Sequence, residues 1–146
     1  MAKTSTYLNF SCETEAAFMF YKSVFKTEFS GKGFQRYGDM GESPSMRISD
    51  IEKKMVLHVE LPIVGGHVLM GSDAPESLGS KIGFGNNIYI NLETDTRQET
   101  KQLYDALSKE GKAIMPLADM FWGAYFGTCT DKFGVNWMFN CPEPLK

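Results

Sequence analysis

The sequence is poor in the residues that most often form disulfides and metal sites. Its 146 residues include three cysteines, at positions 12, 129 and 141, and two histidines, His58 and His67. An odd number of widely spaced cysteines disfavours a disulfide framework or a zinc site, and it favours a reducing compartment. We therefore expect a cytoplasmic protein whose fold does not depend on covalent cross-links.

Charge of one sign and long apolar runs are also missing. The formal net charge is −3, so there is no electrostatic basis for binding nucleic acid or an anionic membrane. No segment approaches the roughly 20 apolar residues of a membrane span. The segment Met1–Thr6 has no apolar stretch behind it, unlike a secretory signal. We expect neither nucleic acid nor a membrane as a partner.

Apolar side chains, by contrast, are abundant. Hydrophobic residues make up 42% of the chain and aromatic residues 13%, with nine methionines and eleven phenylalanines. This length fits a single domain, residues 1–146, better than two. Most of these methionines and phenylalanines are expected to fill a core, although a soft lining for an apolar ligand is the alternative.

The chain matches itself in two places, in the same order. Tyr7–Thr14 is similar to Tyr89–Thr96, and both segments alternate polar and apolar residues as a strand with two different faces does. Met55–Met70 is similar to Gly123–Met138, and each of these predicts two strands joined by a Gly-containing turn. Repetition at both places indicates two related halves.

A helix is predicted after the first strand of each half. The first runs from about Glu13 to Phe25. The second opens with a capping box, in which Thr96 and Glu99 satisfy free N–H groups, and ends at Gly111 in a left-handed conformation. An apolar stripe in each helix is expected to be buried: Ala17, Phe20, Tyr21 and Val24 in the first, and Leu103, Ala106 and Leu107 in the second.

Each half is therefore β–α–β–β–β, and the predicted fold class is α+β. The two βαβββ modules, residues 5–73 and 86–141, are expected to form a curved mixed sheet around a central cavity. The first half is longer, and its extra length lies around Gly38–Ser45. That stretch is interpreted as a surface loop, either a mobile flap or a passive insertion.

The strand alternation assigns side chains to two faces. Apolar residues are expected to face the helices: Leu8, Phe10, Leu57, Val59, Leu61, Ile90 and Leu92. The opposite face mixes rings with polar groups, and it is predicted to line the cavity: Tyr7, Asn9, His58, Glu60, Asn87, Tyr89, Asn91, Trp122 and Phe126. A concave face with a few fixed polar groups is typical of small-molecule sites.

Several segments resemble a known superfamily over nearly the whole chain: Tyr7–Phe10, Phe20–Phe25, Leu69–Asp73, Met115–Leu117, Phe121–Gly123 and Thr130–Met138. They are similar to glyoxalase, bleomycin-resistance and extradiol-dioxygenase proteins, the vicinal oxygen chelate superfamily. The closer resemblance is to the PhnB-like branch, also labelled demethylubiquinone methyltransferase-like. The chain has no Gly-rich strand-to-helix loop of the kind that binds adenosylmethionine.

The resemblance implies a position for a metal. Catalytic members place His or Gln on the first strand of each half and Glu on the last, around one divalent ion. The matching positions here are Ser5, Asn87, Met70 and Met138. Hydroxyl, amide and thioether groups are poor ligands for such ions, so no metal is expected at these positions. The superfamily's frequent pairing of halves between chains also implies a homodimer.

These observations favour a small-molecule-binding protein of the glyoxalase/bleomycin-resistance type without the usual metal site. The alternative is a divalent-metal-dependent lyase, isomerase or dioxygenase that uses non-standard ligands, with His58 and Glu60 as the candidate catalytic residues. A third hypothesis is self-association without a ligand. The sequence does not decide whether the protein is an enzyme.

For several residues a structural role competes with a functional one. His58 is either a hydrogen-bonded wall residue or an acid–base partner or metal ligand of Glu60. Asn9 and Asn91 bind either a ligand or each other and neighbouring backbone. Trp122 and Phe126 form either an aromatic wall or core, whereas Trp137 is expected in the core. His67 is expected to be exposed, and solvated charges are expected at Glu93, Asp95, Asp119 and Asp131.

Overall fold

The computed structural model describes residues 1–41, 47–79 and 81–146. They form two compact units, Met1–Gly83 and Phe84–Lys146, which are described separately. Among the described residues, no helix has the length and apolar character that crossing a membrane requires. A single domain with modules at 5–73 and 86–141 stays a prediction.

Unit 1 contains a four-stranded mixed sheet and a long helix. Its elements are β1 (Thr6–Phe10), α1 (Thr14–Phe25), β2 (Gln35–Arg36), a 3-10 turn (Tyr37–Met40), the short α2 (Asp50–Lys53), β3 (Val56–Pro62) and β4 (Val68–Asp73). The strand order is β1-β4-β3-β2. β1 is parallel to β4, and the other neighbours are antiparallel.

Unit 2 repeats this arrangement. Its elements are β5 (Ile90–Glu93), α3 (Arg97–Ser108), β6 (Lys112–Asp119), β7 (Tyr125–Thr130) and β8 (Asn136–Cys141). The strand order is β5-β8-β7-β6, with β5 parallel to β8. The predicted α+β class and the βαβββ order of both halves are confirmed.

Helix α1 packs through a face that is rotated from the predicted one. Thr14 and Phe18 are buried with the predicted Ala17 and Tyr21, whereas the predicted Phe20 and Val24 are only half-buried. The reason lies in β4, where a Cβ on Gly71 would come within 2.5 Å of the Phe18 ring. The absence of a side chain there makes room for Phe18, so this face turns toward the sheet.

Helix α3 begins after the predicted N-cap residue, Thr96. The Thr96 hydroxyl accepts from the Glu99 N–H at 3.1 Å, while the Arg97 N–H donates to the Glu143 carboxylate at 2.6 Å. Only the Thr96 half of the predicted capping box is therefore confirmed. The buried residues of α3 include the predicted pair Leu103 and Leu107, while Ala106 is half-buried.

The prediction that Gly111 supplies the left-handed residue after α3 is wrong. Glu110 takes that conformation, with φ 62°. Gly111 is required for a different reason, because a Cβ there would lie 2.2 Å from the carbonyl oxygen of Thr130. The constraint is a close approach between two backbone segments rather than the handedness of the turn.

The apolar faces of the strands are partly as predicted. Phe10, Val59, Leu61 and Leu92 are buried, whereas Leu8, Leu57 and Ile90 are half-buried. At the start of β3 the buried residue is Val56, not Leu57. The pairing of β2 with β3 shifts register between Gln35 and Arg36, and this irregularity interrupts the simple alternation.

Two predictions about polar residues are wrong. Asp131 is not solvated, since it is only 3% exposed and accepts from the backbone N–H groups of Phe133 and Val135 and from Trp137 Nε1. His67 is half-buried rather than exposed, and its Nε2 lies 2.8 Å from the Thr6 hydroxyl. Trp137 is fully buried, which confirms its predicted place in the core.

The extra segment of the first half is only partly described. Gly38–Met40 belong to the 3-10 turn and Gly41 follows it. Residues 42–45 of the proposed flap lie outside the described residues, so the choice between a flap and a passive insertion stays open.

We predict that Asp131→Ala lowers the free energy of unfolding by about 3 kcal/mol, because the buried Trp137 Nε1 and the part-buried N–H groups of Phe133 and Val135 lose their acceptor. Asp95→Ala is the matched control: Asp95 is exposed, so its loss should change stability by no more than about 0.5 kcal/mol. Urea unfolding followed by fluorescence measures both. Equal effects of the two substitutions would contradict the role assigned to Asp131.

Gly71→Ala should lower the free energy of unfolding by about 1–3 kcal/mol, because the new methyl group overlaps the buried Phe18 ring. Gly83→Ala serves as the control, since nothing lies within 4 Å of a Cβ at that position. Thermal unfolding of both variants checks the prediction. A neutral Gly71→Ala would show that α1 packs differently.

Candidate functional site

The candidate site lies on the face of the unit 1 sheet opposite α1. Gly71 faces the Phe18 ring of α1, and it pairs with Leu8 on β1 and Val59 on β3. Successive side chains of a strand point to opposite faces. The residues that alternate with these three therefore share the other face: Tyr7, Asn9, His58, Glu60, Met70 and Ser72.

Three of these side chains form a continuous hydrogen-bonded chain. The Tyr7 hydroxyl lies 3.3 Å from His58 Nδ1, and His58 Nε2 lies 3.0 Å from Glu60 Oε1. The His58 and Glu60 side chains are 28% and 36% exposed, so both are half-buried. The structure thus brings together His58 and Glu60, as predicted for an acid–base or ligand pair, and it adds Tyr7.

The two partners of His58 define its hydrogen-bonding pattern. An ionised carboxylate can only accept hydrogen bonds, so His58 Nε2 donates to Glu60. In a neutral ring Nδ1 then carries a lone pair and accepts from the Tyr7 hydroxyl. In this tautomer the donors run in one direction, from Tyr7 through His58 to Glu60.

A second polar pair lies beside this chain. The Ser72 hydroxyl donates to Asn9 Oδ1 at 3.1 Å, and the two residues pair across β1 and β4. This bond uses the amide oxygen of Asn9 and fixes the orientation of the amide. The two N–H donors of the amide take no part in this bond. Asn9 can therefore present N–H groups on the same face as the Tyr7 hydroxyl.

Asp73 positions the strands beneath this site. Its carboxylate accepts from the N–H of Thr14 at 3.0 Å and from the N–H of Val56 at 2.9 Å. These bonds join the end of β4 to the starts of α1 and β3, two residues before His58. The Tyr37 hydroxyl donates to the Asp73 carbonyl at 2.9 Å, and burial, more than the nearby Tyr7 and Asp73, raises the Tyr37 pKa. Sequence reasoning missed Asp73, although an acidic residue ending an apolar strand was a visible signal.

The corresponding face of unit 2 carries amide, thioether, hydroxyl and aromatic groups. Phe139 packs its ring against Tyr104 of α3, so its neighbours in β8 face away from the helix. Asn91 opposes Met138, Met138 opposes Thr128, and Phe126 opposes Asn140 on that other face. The Trp122 ring meets Phe126 edge to face, with centroids 5.6 Å apart, and Trp122 is 52% exposed.

Three of the predicted site residues of unit 2 lie outside the strands, namely Trp122 between β6 and β7 and the pair Asn87 and Tyr89 before β5. Strand β5 begins at Ile90, so Asn87 and Tyr89 precede it, with Asn87 exposed and Tyr89 half-buried. This approaching segment is held by Asn136, whose amide donates to the carbonyl oxygens of Gly85 and Ile88. Asn91 and Phe126 are the predicted site residues of unit 2 that belong to strands.

The first strand of each unit pairs with the last strand in a different register. Asn9 opposes Ser72 in unit 1, whereas its repeat mate Asn91 opposes Met138 in unit 2. Met138 is the sequence match of Met70, so β5 is displaced by two residues against β8 when compared with β1 against β4, while β7 and β8 keep the register of β3 and β4. A shift by two keeps every side chain on its face.

The residues at the superfamily's metal positions do not fit a metal. In unit 1 the Ser5 hydroxyl lies 3.9 Å from the Met70 sulfur, a hydroxyl beside a thioether. In unit 2 the positions are the exposed Asn87 and the half-buried Met138. Across residues 1–41, 47–79 and 81–146, no three His, Cys, Asp or Glu side chains are grouped closely enough to hold an ion.

Comparison with known proteins gives full-length matches. The family model described as 3-demethylubiquinone-9 3-methyltransferase matches residues 2–139. Protein YjdN of Escherichia coli K12 is 29% identical over 142 residues, covering 93% of this chain and 92% of YjdN. The structure of PA1353 from Pseudomonas aeruginosa is 31% identical, covers 97% of this chain and 98% of that chain, and superposes with a TM-score of 0.79.

More distant structures share the fold. The PhnB protein of Bacillus cereus, which carries the same methyltransferase description, is 24% identical, with a TM-score of 0.74 over 96% of this chain and 99% of that chain. A glyoxylase/bleomycin resistance protein/dioxygenase domain from Frankia is 9% identical, with a TM-score of 0.65 over 98% and 93%. The predicted glyoxalase/bleomycin-resistance fold is confirmed. So is the PhnB-like branch, since the chain belongs to the family described as 3-demethylubiquinone-9 3-methyltransferase.

Proposed function

We propose that this protein binds a small, partly apolar or aromatic molecule through the polar and aromatic side chains of the sheet faces that its long helices leave uncovered. The residues predicted to bind a ligand are Tyr7, Asn9 and His58 in unit 1, and Asn87, Tyr89, Asn91, Trp122 and Phe126 in unit 2. Binding of this kind, without the usual metal, is what a bleomycin-resistance type of sequestration requires. The observation that carries the proposal is the polar group of Tyr7, Asn9, His58 and Glu60 on a sheet face that α1 leaves uncovered.

These polar side chains have the character of a prepared binding site. Tyr7 is 47% exposed, and its hydroxyl, the His58 ring and the Asn9 amide are each held by a neighbouring side chain. Small-molecule sites combine such a few fixed polar groups with apolar and aromatic walls. A residue that only filled a core would be buried, as Trp137 is, rather than half-exposed.

We further propose that the protein forms a homodimer in the cytoplasm, with a small molecule rather than nucleic acid as its other partner. The superfamily resemblance supports the dimer. Apolar surface is available in unit 2, where Phe121 is 97% exposed beside Trp122. The net charge of −3 supports the exclusion of nucleic acid.

The second candidate function is a divalent-metal-dependent lyase, isomerase or dioxygenase. The observation in its favour is that an imidazole and a carboxylate, which are both metal ligands, lie 3.0 Å apart in His58 and Glu60. Elemental analysis of protein purified without chelator separates the two candidates. A stoichiometric metal that disappears in His58→Ala would favour the enzyme, and metal-free protein that binds its ligand would favour sequestration.

A thermal-shift screen of small aromatic and apolar compounds tests the binding proposal. A ligand at a hundredfold excess over its Kd should stabilise the protein by about 2.7 kcal/mol. Asn9→Ala should weaken binding of a hit by about tenfold, because one hydrogen bond to the ligand is lost.

His67→Ala is the matched control, because its imidazole bonds to Thr6, which alternates with Tyr7 and lies on the other face of β1. This variant should leave the affinity within about twofold. The proposal is contradicted if no compound stabilises the protein, or if Asn9→Ala and His67→Ala affect binding equally.

A further inference from the structure

The hydrogen-bonded chain in unit 1 ends on a hydroxyl that is accessible. Tyr7 is the outer member and is 47% exposed, while His58 and Glu60 lie behind it and are half-buried. A nucleophile or base that is held by a second group, which is itself oriented by a carboxylate, is the usual arrangement for moving a proton. Here the order is phenol, imidazole and carboxylate.

On the neighbouring strands, the residues opposite the hydrogen-bonded side chains carry no charge. On β2, Gln35 opposes His58, and on β4, Met70 opposes both Glu60 and Tyr7. Amide and thioether groups do not titrate, so Glu60 is the charged partner that His58 meets among these strands. A positive charge formed on His58 would be stabilised by that carboxylate.

We propose that Tyr7, His58 and Glu60 form a metal-independent proton relay that removes a proton from a bound molecule. This inference rests on the proposed binding function. The substrate C–H or O–H bond breaks and its proton passes to the Tyr7 oxygen, while the Tyr7 proton passes to His58 Nδ1. The electron pair stays on the substrate, Tyr7 remains a neutral phenol, and the imidazolium is held by Glu60.

The site also favours a class of substrate. Asn9 lies on the same face of β1 as Tyr7, two residues along, and its N–H groups are left out of the bond to Ser72. They can donate to a substrate oxygen or nitrogen on which the new negative charge develops. The substrate is therefore a weak acid whose anion delocalises onto an acceptor atom, with Tyr7 as the catalytic residue and Glu60 as a positioning residue.

The elimination of 5-nitrobenzisoxazole tests the relay with a defined probe. A base takes the C3 proton, the C–H electron pair forms the nitrile, and the N–O bond breaks to release a coloured phenolate. No cofactor is needed, so the assay contains EDTA. We expect saturable turnover that falls about a hundredfold in His58→Ala and at least about tenfold in Tyr7→Phe.

Two further variants separate a relay from a structural role. Glu60→Gln keeps the shape of the side chain but not its charge, so kcat should fall about tenfold while KM changes less than about twofold. His67→Ala should leave both constants unchanged. The relay is overturned if His58→Ala turns over the probe as fast as the unaltered protein, or if removal of metal by EDTA abolishes the reaction.

An unreactive analogue distinguishes failure of the relay from failure of binding. Thermal shift with 5-nitroindole, which lacks the cleavable N–O bond, reports occupancy alone. Stabilisation by 5-nitroindole without elimination would overturn the relay and leave the binding function standing. If 5-nitroindole does not stabilise the protein and 5-nitrobenzisoxazole is not eliminated, the result contradicts both the relay and the binding function.

A spectroscopic measurement tests the relay without any substrate. Long-range ¹H–¹⁵N correlation should show neutral His58 protonated on Nε2, with Glu60→Gln altering that pattern and His67→Ala leaving it intact. A neutral ring protonated on Nδ1 would overturn the inference, because Tyr7 could then no longer donate to it.

Discussion

The alternation of side chains across each strand, combined with the one long helix in the described part of each unit, is the constraint on which the structure depends. A helix can cover only one face of its sheet, and the residues of that face must be apolar and closely packed. Gly71 makes this plain, since the Phe18 ring occupies the space where a Cβ would project. Once Gly71, Leu8 and Val59 face α1, the polar residues between them have to lie on the opposite face.

This local rule explains why much of the fold and part of the site could be predicted. The sequence repeat and the period of two predict Tyr7, Asn9, His58 and Glu60 on one face, and the strand pairing agrees. The errors have a different origin. The fit of Phe18 against Gly71 and the approach of Gly111 to Thr130 depend on residues far apart in the chain, which local periodicity does not report.

Two buried aspartates show how polar groups maintain this architecture. Asp73 accepts from backbone N–H groups at the starts of α1 and β3, and Asp131 accepts from the β7–β8 turn and from Trp137. A buried carboxylate is tolerated when each oxygen is satisfied by donors. Both residues follow apolar strand segments in the sequence, where a charge is easily taken for a solvated turn residue. Their structural role follows from burial, which periodicity alone does not give.

The side chains at matching positions of the two hairpins make the related faces chemically unequal. Glu60 opposes Met70 in unit 1, and at the matching position of the repeat Thr128 opposes Met138 in unit 2. Two residues earlier on the same strand, His58 in unit 1 corresponds to Phe126 in unit 2. A phenyl ring and a hydroxyl therefore lie where unit 1 has an imidazole and a carboxylate. Neither a hydroxyl nor a phenyl ring gains or loses a proton near neutral pH, so the proposed proton relay is confined to unit 1.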